Sequence, residues 1–139
     1  MIRTFLDAGV LIAAHRGEPV LKRVALTLIA DPNRAFVASP FLRLELEPKA
    51  LHFGNESETS LYRSYFDRRV TFWVGRANRI LSVAFDEAGR WGLAAMDALH
   101  VAAAHLGGAE EFITTERDGK PIYRTTLTSV VSLDTVEKA

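Results

Sequence analysis

The chain has 139 residues, of which 48% are hydrophobic and 24% charged, and we expect one globular domain over residues 1–139. Cysteine is absent, which excludes disulfides, zinc–thiolate sites and cysteine nucleophiles, so a bound metal must use oxygen or imidazole ligands. Basic and acidic residues number 17 each, so the net charge provides no general attraction to nucleic acid. No signal peptide or membrane span is recognisable, and we expect a cytoplasmic protein.

The first half of the sequence predicts strands that alternate with helices. Apolar runs favour strands at 2–6 and 35–38, and alanine-rich or periodic stretches favour helices at 10–15 and 20–30. Ser39 and Pro40 then form a helix start, with serine as the N-cap and proline at the first helical position. Pro48 is expected to end or kink that helix.

The second half continues the same alternation. Its composition predicts helices at 60–69, 76–90 and 94–106, and strands at 70–74, 111–115 and 129–133. Short apolar strands separated by helices predict an α/β fold around a mainly parallel sheet.

Four carboxylates stand at junctions that such a fold brings together. Asp7 and Glu116 each follow a predicted strand, and ligands of parallel α/β sheets bind beyond the carboxyl ends of the strands. Glu45 lies in the second turn of one predicted helix and Asp97 in the first turn of another, and helix starts face the same edge as strand ends. Four oxygen-bearing groups without cysteine suit Mg²⁺ or Mn²⁺, which orient a phosphodiester and activate a water for its hydrolysis.

Each carboxylate also has a simpler interpretation. Asp7 is in a position typical of a turn or N-cap residue. Glu45 has Lys49 four residues later and can form an ordinary surface pair with it. Asp97 favours a helix N-terminus through the helix dipole, and Glu116 can be a solvated loop acid. Position alone therefore leaves the metal site and these alternatives open.

The sequence resembles the PIN-domain family, and in particular its VapC-like toxin nucleases. The resemblance covers nearly the whole chain, and the third of its four motifs is the most specific. The motifs are Phe5-Leu6-Asp7-Ala8-Gly9-Val10-Leu11-Ile12-Ala13-Ala14, Ser39-Pro40-Phe41-Leu42-Arg43-Leu44-Glu45-Leu46, Gly92-Leu93-Ala94-Ala95-Met96-Asp97-Ala98-Leu99-His100-Val101-Ala102-Ala103-Ala104 and Phe112-Ile113-Thr114-Thr115-Glu116.

The resemblance implies a PIN-like α/β/α sandwich with a short, mainly parallel central sheet. It also implies a metal-dependent endoribonuclease that acts on RNA, with Asp7, Glu45, Asp97 and Glu116 as catalytic residues and as ligands of Mg²⁺ or Mn²⁺. Members of the family commonly form homodimers, and many are toxins of type II toxin–antitoxin pairs that a cognate antitoxin blocks. We expect the same partners for this chain, and no membrane.

A second hypothesis is a PIN-like RNA- or protein-binding module with weakened catalysis. It rests on two departures from the family pattern. Gly9 stands where the family commonly has a hydroxyl residue that can orient a ligand. Glu116 stands where the family usually has aspartate, and its side chain is one methylene longer.

Two other features invite a functional interpretation. His100 lies three residues after Asp97, and we interpret it as a packed or ligand-orienting histidine, because a hard metal favours oxygen. Arginines and aromatic residues alternate between Arg63 and Arg79, a pattern that can present single-stranded RNA with charges and stacking surfaces. Solvated helix faces with buried aromatic residues explain the same pattern more simply.

Overall fold

The computed structural model describes residues 1–138, with side chains up to residue 136. Its strands are short and its helices connect them in sequence. The strands are β1 (Ile2–Leu6), β2 (Arg34–Ala38), β3 (Val70–Trp73), β4 (Glu111–Thr114) and β5 (Ser129–Ser132). The helices are α1 (Ala8–Arg16), α2 (Pro19–Ala30), α3 (Pro40–His52), α4 (Glu56–Ser64), α5 (Ala77–Trp91), α6 (Ala95–Leu106) and α7 (Leu133–Lys138).

The five strands form one sheet in the order β3-β2-β1-β4-β5, and all of the neighbouring pairs are parallel. The central strand β1 is fully buried from Thr4 to Leu6. Phe5 is in register with Phe112 of β4, and the two rings stack with their centroids 5.1 Å apart. Successive residues of a strand point to opposite faces of the sheet, and those of β1 are buried on both. Each face of the sheet must therefore be covered by helices.

The chain crosses from β1 to β2 to β3 in one direction and then returns to β4 and β5. Right-handed crossovers therefore place α1 to α4 on one face of the sheet and α5 and α6 on the other. The helix packing agrees, since α1 packs on α2, α3 on α4, and α5 on α6. This arrangement confirms the predicted α/β/α sandwich with a short parallel sheet.

Helix α3 contradicts one of the two outcomes expected of Pro48, because the helix does not end there and continues to His52. Proline removes the backbone hydrogen bond to the carbonyl four residues earlier. That carbonyl belongs to Leu44, whose residue is 67% exposed, and Pro48 itself is exposed. The loss therefore falls on the solvent face of the helix, where water can satisfy the carbonyl.

Other boundaries differ from the predictions in smaller ways. Ser39 is the N-cap of α3 by position, but its side chain makes no capping hydrogen bond and its hydroxyl is buried without a partner. The predicted helix at 60–69 begins earlier, as α4, and finishes in a π-helical turn at Tyr65–Arg69. The 3₁₀ turn Pro121–Arg124 and α7 were not predicted from the sequence.

Within residues 1–138, no helix combines the length and apolarity that crossing a membrane requires.

Candidate active site

The four predicted carboxylates occupy the carboxyl edge of the sheet. Asp7 directly follows β1 and caps α1, and Glu116 comes two residues after β4. Glu45 lies in the second turn of α3, which begins just after β2, and Asp97 lies in the first turn of α6. Since all of the strands are parallel, their carboxyl ends meet at one edge, and the helix starts face the same crevice.

Asp7 is the most constrained of these side chains and is only 8% exposed. Its carboxylate accepts a hydrogen bond from the Ala8 backbone N–H at 2.8 Å and another from the Thr114 hydroxyl at 3.0 Å. Burial raises the pKa of Asp7, and His100 and the two hydrogen bonds partly oppose that rise. The turn and N-cap interpretation of Asp7 is therefore correct, but the hydrogen bonds also hold its carboxylate at the crevice.

Asp97 interacts electrostatically with the other three carboxylates. Burial is the largest cause of a rise in its pKa from 3.8 to about 6, and the charges of Asp7 and Glu116 contribute further. Of the smaller effects, His100 lowers this pKa and Glu45 raises it. A carboxyl group beside like charges in a poorly hydrated position resists ionisation, which is why the pKa of Asp97 is raised.

Glu45 is held by a histidine rather than by Lys49. The His100 Nε2 lies 2.7 Å from the Glu45 Oε2, while the His100 ring is 1% exposed and packs against Phe5 with centroids 5.7 Å apart. His100 is therefore a packed histidine, as predicted, and the carboxylate that it contacts is that of Glu45 and not that of Asp97. Its Nδ1 is buried without a hydrogen-bond partner in the described part of the chain.

Thr114 links two of the predicted site residues. Its hydroxyl donates to Asp7 and accepts a hydrogen bond from the Glu116 backbone N–H at 3.1 Å. The Glu116 carbonyl in turn accepts a hydrogen bond from the Tyr123 hydroxyl at 2.7 Å. The backbone of Glu116 is therefore fixed on both sides, and only its side chain is free to adjust toward the crevice.

The donor set fits a hard divalent cation, because it consists of carboxylate oxygens whose mutual repulsion a cation would relieve. The side chains are not yet in a ligand arrangement, however. Among the residues described, no group of three or more histidine, aspartate or glutamate side chains is placed so that it could hold a metal ion. Electrostatic repulsion acts over longer distances than a metal–ligand bond. The other carboxylates can therefore raise the pKa of Asp97 while their oxygens lie too far apart to bind one ion.

The overall shape of the chain is similar to that of chains in solved toxin–antitoxin structures. A chain of VapBC2 from Rickettsia felis, solved with a DNA fragment from its promoter, superposes with a TM-score of 0.68 and 13% identity, covering 94% of this chain and 98% of that one. A toxin–antitoxin complex from Klebsiella pneumoniae gives 0.67 and 21% identity, covering 94% and 97%. VapBC-1 from nontypeable Haemophilus influenzae gives 0.64 and 18%, covering 96% and 99%. The chain has a PIN-like fold.

The likeness is one of shape, since no protein-family model and no curated protein matches the sequence. At identities of 13% to 21%, the PIN-like fold is what the matched structures and this chain share.

Thr115 explains how the PIN-like fold of this chain accommodates Gly9. A Cβ atom added to Gly9 would lie 2.1 Å from the Thr115 Oγ1 and 3.3 Å from its Cβ. The Thr115 side chain thus fills the space that a side chain at position 9 would need. A hydroxyl group is therefore present next to position 9, supplied by Thr115 directly after β4.

We expect Gly9→Ser to destabilise the protein by about 1 kcal/mol or more, because the new side chain must displace Thr115. Thr115→Ala removes the clashing hydroxyl and should recover most of that loss in the double variant. Urea denaturation of the wild-type chain, both single variants and the double variant measures this coupling. Equal stability of Gly9→Ser and wild type would show that the notch is not filled as described.

Sequence reasoning missed Thr114 and the partner of Glu45. The contact between Thr114 and Asp7 follows from the register of β1 with β4. Leu6 pairs with Ile113, so the next residues, Asp7 and Thr114, lie side by side. The Glu45–His100 contact joins residues 55 positions apart on two helices that lie in different layers. A threonine that ends a strand just before an acidic residue was the one local signal available.

Proposed function

We propose that this chain is a metal-dependent endoribonuclease that hydrolyses RNA phosphodiester bonds, and the toxin of a type II toxin–antitoxin pair. The observation that supports it most is the raised pKa of Asp97, to about 6, beside Asp7 and Glu116. Perturbed carboxylates clustered at the carboxyl edge of a parallel sheet are typical of a functional site. The resemblance of the four sequence motifs and the toxin–antitoxin structures of the same fold give the cluster its proposed reaction.

In this proposal Asp7, Asp97 and Glu116 bind Mg²⁺ or Mn²⁺, and Glu45 is the fourth metal ligand. The cation would supply Lewis-acid activation of the phosphodiester and of the attacking water. Asp7 contributes a carboxylate fixed by Ala8 and Thr114, so little reorientation is needed when the cation binds. His100 positions the Glu45 carboxylate, and the Thr114 hydroxyl ties the Asp7 carboxylate to the backbone of Glu116.

The test is cleavage of a mixed pool of single-stranded RNA by the purified chain. We expect internal cleavage with millimolar Mg²⁺ or Mn²⁺ and none with EDTA. A single-stranded DNA pool of the same sequences serves as the substrate control. Cleavage that persists in excess EDTA, or its absence with both metals, would count against the proposal.

The alternative of a catalytically weakened binding module retains one specific observation in its favour. Glu45 is engaged by His100, and no three-ligand arrangement exists within residues 1–138. This alternative predicts RNA or protein binding that neither metal affects, together with no cleavage. Binding of RNA with the same affinity in Mg²⁺ and in EDTA would favour it.

The proposed toxin role includes a cognate antitoxin and a homodimer, in the cytoplasm. Several large apolar side chains are exposed, among them Phe85 on α5 at 81%, Phe53 just after α3 at 76% and Leu44 on α3 at 67%, and exposed apolar surface of this kind is typical of protein interfaces. Light scattering of the purified chain tests the dimer, and a monomeric mass at micromolar concentration would exclude it there. Co-expression of the chain with the protein encoded by a short neighbouring reading frame tests for a cognate antitoxin. If that protein does not inhibit RNA cleavage, it is not the antitoxin of this chain.

A further inference from the structure

A second surface, at the β3 edge of the sheet, carries positive charge that no ion pair among the described residues fully neutralises. It is a cleft of about 630 Å³ between β3, the start of α5 and the end of α6. Three of the ten residues that line it are arginines, Arg3, Arg76 and Arg79, and none of the ten is acidic. In a chain whose net charge is zero, this is a local concentration of three positive charges.

The arginines of the cleft differ in how firmly they are held. The Arg3 guanidinium donates to the Gly107 carbonyl at 3.3 Å and stacks over the Phe72 ring, 3.8 Å from its centroid. It therefore forms a fixed wall of the cleft. Arg76 and Arg79 are exposed, and in the described part of the chain neither forms an ion pair with a carboxylate. Their charges remain available to a ligand.

The cleft extends from the end of β3, at the carboxyl edge of the sheet, to Leu106 and Gly107 at the end of α6 that lies away from Asp97. Trp73 pairs with Ala38 at the end of β2, and the Val74 backbone N–H donates to the Ala38 carbonyl at 2.9 Å. Arg76 therefore follows β3 at the edge where Asp7 follows β1. Two strand spacings separate β3 from β1, which is about 10 Å. One end of this edge is acidic and the other is basic.

Aromatic surface accompanies the charge. Trp73 is 44% exposed although its ring also contacts Phe66, with centroids 5.8 Å apart. An indole supported on one side and open on the other is a stacking surface for a base. Arginines that contact phosphates, combined with exposed aromatic rings that stack on bases, are the features that bind single-stranded nucleic acid.

We propose that this cleft binds the RNA strand beside the scissile bond, with Arg76 and Arg79 on phosphates and Trp73 against a base. The choice of RNA as the ligand rests on the proposed ribonuclease function. The strand would cross the carboxyl edge from the basic end at β3 to the acidic end at β1 and β4. Because the arginines and the carboxylates lie at different ends of the edge, a protein with no net charge can still attract phosphates locally. The attracted phosphates are kept away from the acidic carboxylates.

The test measures the fluorescence anisotropy of a fluorescein-labelled 12-nucleotide oligouridine RNA bound to the full chain carrying Asp97→Asn, in EDTA, so that cleavage during the titration is suppressed. Arg76→Glu/Arg79→Glu is compared with Lys22→Glu/Arg23→Glu on α2, which changes the net charge by the same amount. We expect the cleft variant to weaken binding at least tenfold and the α2 control by less than about threefold. The slope of log Kd against log salt should fall by about 1.4 in the cleft variant, since each phosphate contact on a single strand contributes about 0.7.

Trp73→Leu supplies an independent readout that charge does not dominate. We expect it to weaken RNA binding about fivefold while leaving the salt slope unchanged. A poly-glutamate 12-mer provides the competing ligand class. If the peptide binds as tightly as the RNA and is lost equally in the cleft variant, the surface recognises an acidic protein and the RNA assignment is overturned. Equal losses in the cleft variant and the α2 control would overturn the site altogether.

The outcomes separate this inference from the proposed function. If the wild-type chain cleaves RNA and the cleft variant binds and cleaves as well as wild type, the cleft assignment fails and the nuclease stands. If the chain cleaves nothing but RNA binding depends on Arg76 and Arg79, the nuclease fails and the RNA surface stands. If both hold, the cleft variant should raise KM for RNA more than it lowers kcat.

Discussion

Replacing Asp97 with asparagine is expected to lower kcat/KM for RNA cleavage by about 100-fold or more, which corresponds to a loss of about 2.7 kcal/mol of transition-state stabilisation. Asparagine keeps the size of the side chain but removes the charge that a divalent cation needs. Asp97 is also the carboxylate on which the charges of Asp7, Glu116 and Glu45 all act. Its removal should therefore affect metal affinity and rate together, and raising the Mg²⁺ concentration should recover only part of the activity.

Asp86→Asn is the matched control for this prediction. Asp86 is exposed on α5 and undergoes the same chemical change outside the crevice. Steady-state cleavage of one defined RNA by wild type, Asp97→Asn and Asp86→Asn measures the effect. Wild-type kcat/KM in Asp97→Asn would remove Asp97 from the catalytic set, whereas an equal loss in both variants would point to a general effect of charge.

The second large effect is on stability, and it runs in the opposite direction. Without divalent metal, Asp97→Asn should be more stable than wild type at pH 8, by about 1 kcal/mol. Folding raises the pKa of Asp97 from 3.8 to about 6, so the folded chain binds the proton more tightly than the unfolded chain does. The full shift would correspond to about 3 kcal/mol, and we reduce this value because Asp97 is partly exposed and solvent screens its charge.

The sign of the pH dependence follows from the same shift. Between pH 4 and pH 6 the folded state carries more bound protons, so stability falls as the pH rises through this window and stays lower above it. Thermal melts in EDTA should therefore show the advantage of Asp97→Asn at pH 8 shrinking toward zero near pH 4. Taking the difference between the two variants cancels the titration of other groups. An advantage that stayed constant with pH would contradict the shift assigned to Asp97.

Mg²⁺ or Mn²⁺ should have the same stabilising effect as protonation, since either one relieves the repulsion around Asp97. At pH 8 the wild-type chain should gain several degrees in Tm with millimolar metal, and Asp97→Asn should gain little. An equal gain in the two variants would indicate that the cations bind elsewhere.

The order and type of most elements followed from the sequence because apolar runs and breaks in this chain agree with one another. The strand at 2–6, the helix start at Ser39 and Pro40, and the helix end before Gly107 were all predicted within a residue or two. Pro48 was predicted to end or kink α3, and the helix runs past it, because the exposure of the Leu44 turn depends on packing that no local pattern reports. The strand order also required the structure.

The candidate site was predicted as positions and not as contacts. Strand ends and helix starts place Asp7, Glu45, Asp97 and Glu116 at one edge of any parallel α/β sheet. The bonds that orient them depend on register and on packing between layers. The Thr114 hydroxyl reaches Asp7 only because β1 and β4 align as they do, and His100 reaches Glu45 across two helices. Gly9 was likewise recognised as a departure from the family pattern, but only the structure shows that Thr115 fills the space beside it.

The central claim is that the four carboxylates bind a divalent cation, and a crystal structure of the chain soaked in Mn²⁺ tests it most directly. We predict an anomalous difference peak within ligand distance, about 2.0–2.3 Å, of oxygens of Asp7 and Asp97, with Glu116 or Glu45 adjusted toward it. The same soak of Asp97→Asn crystals should give a weaker peak or none. A wild-type map at full Mn²⁺ concentration with no peak among these side chains would contradict the metal site and favour the binding-module alternative.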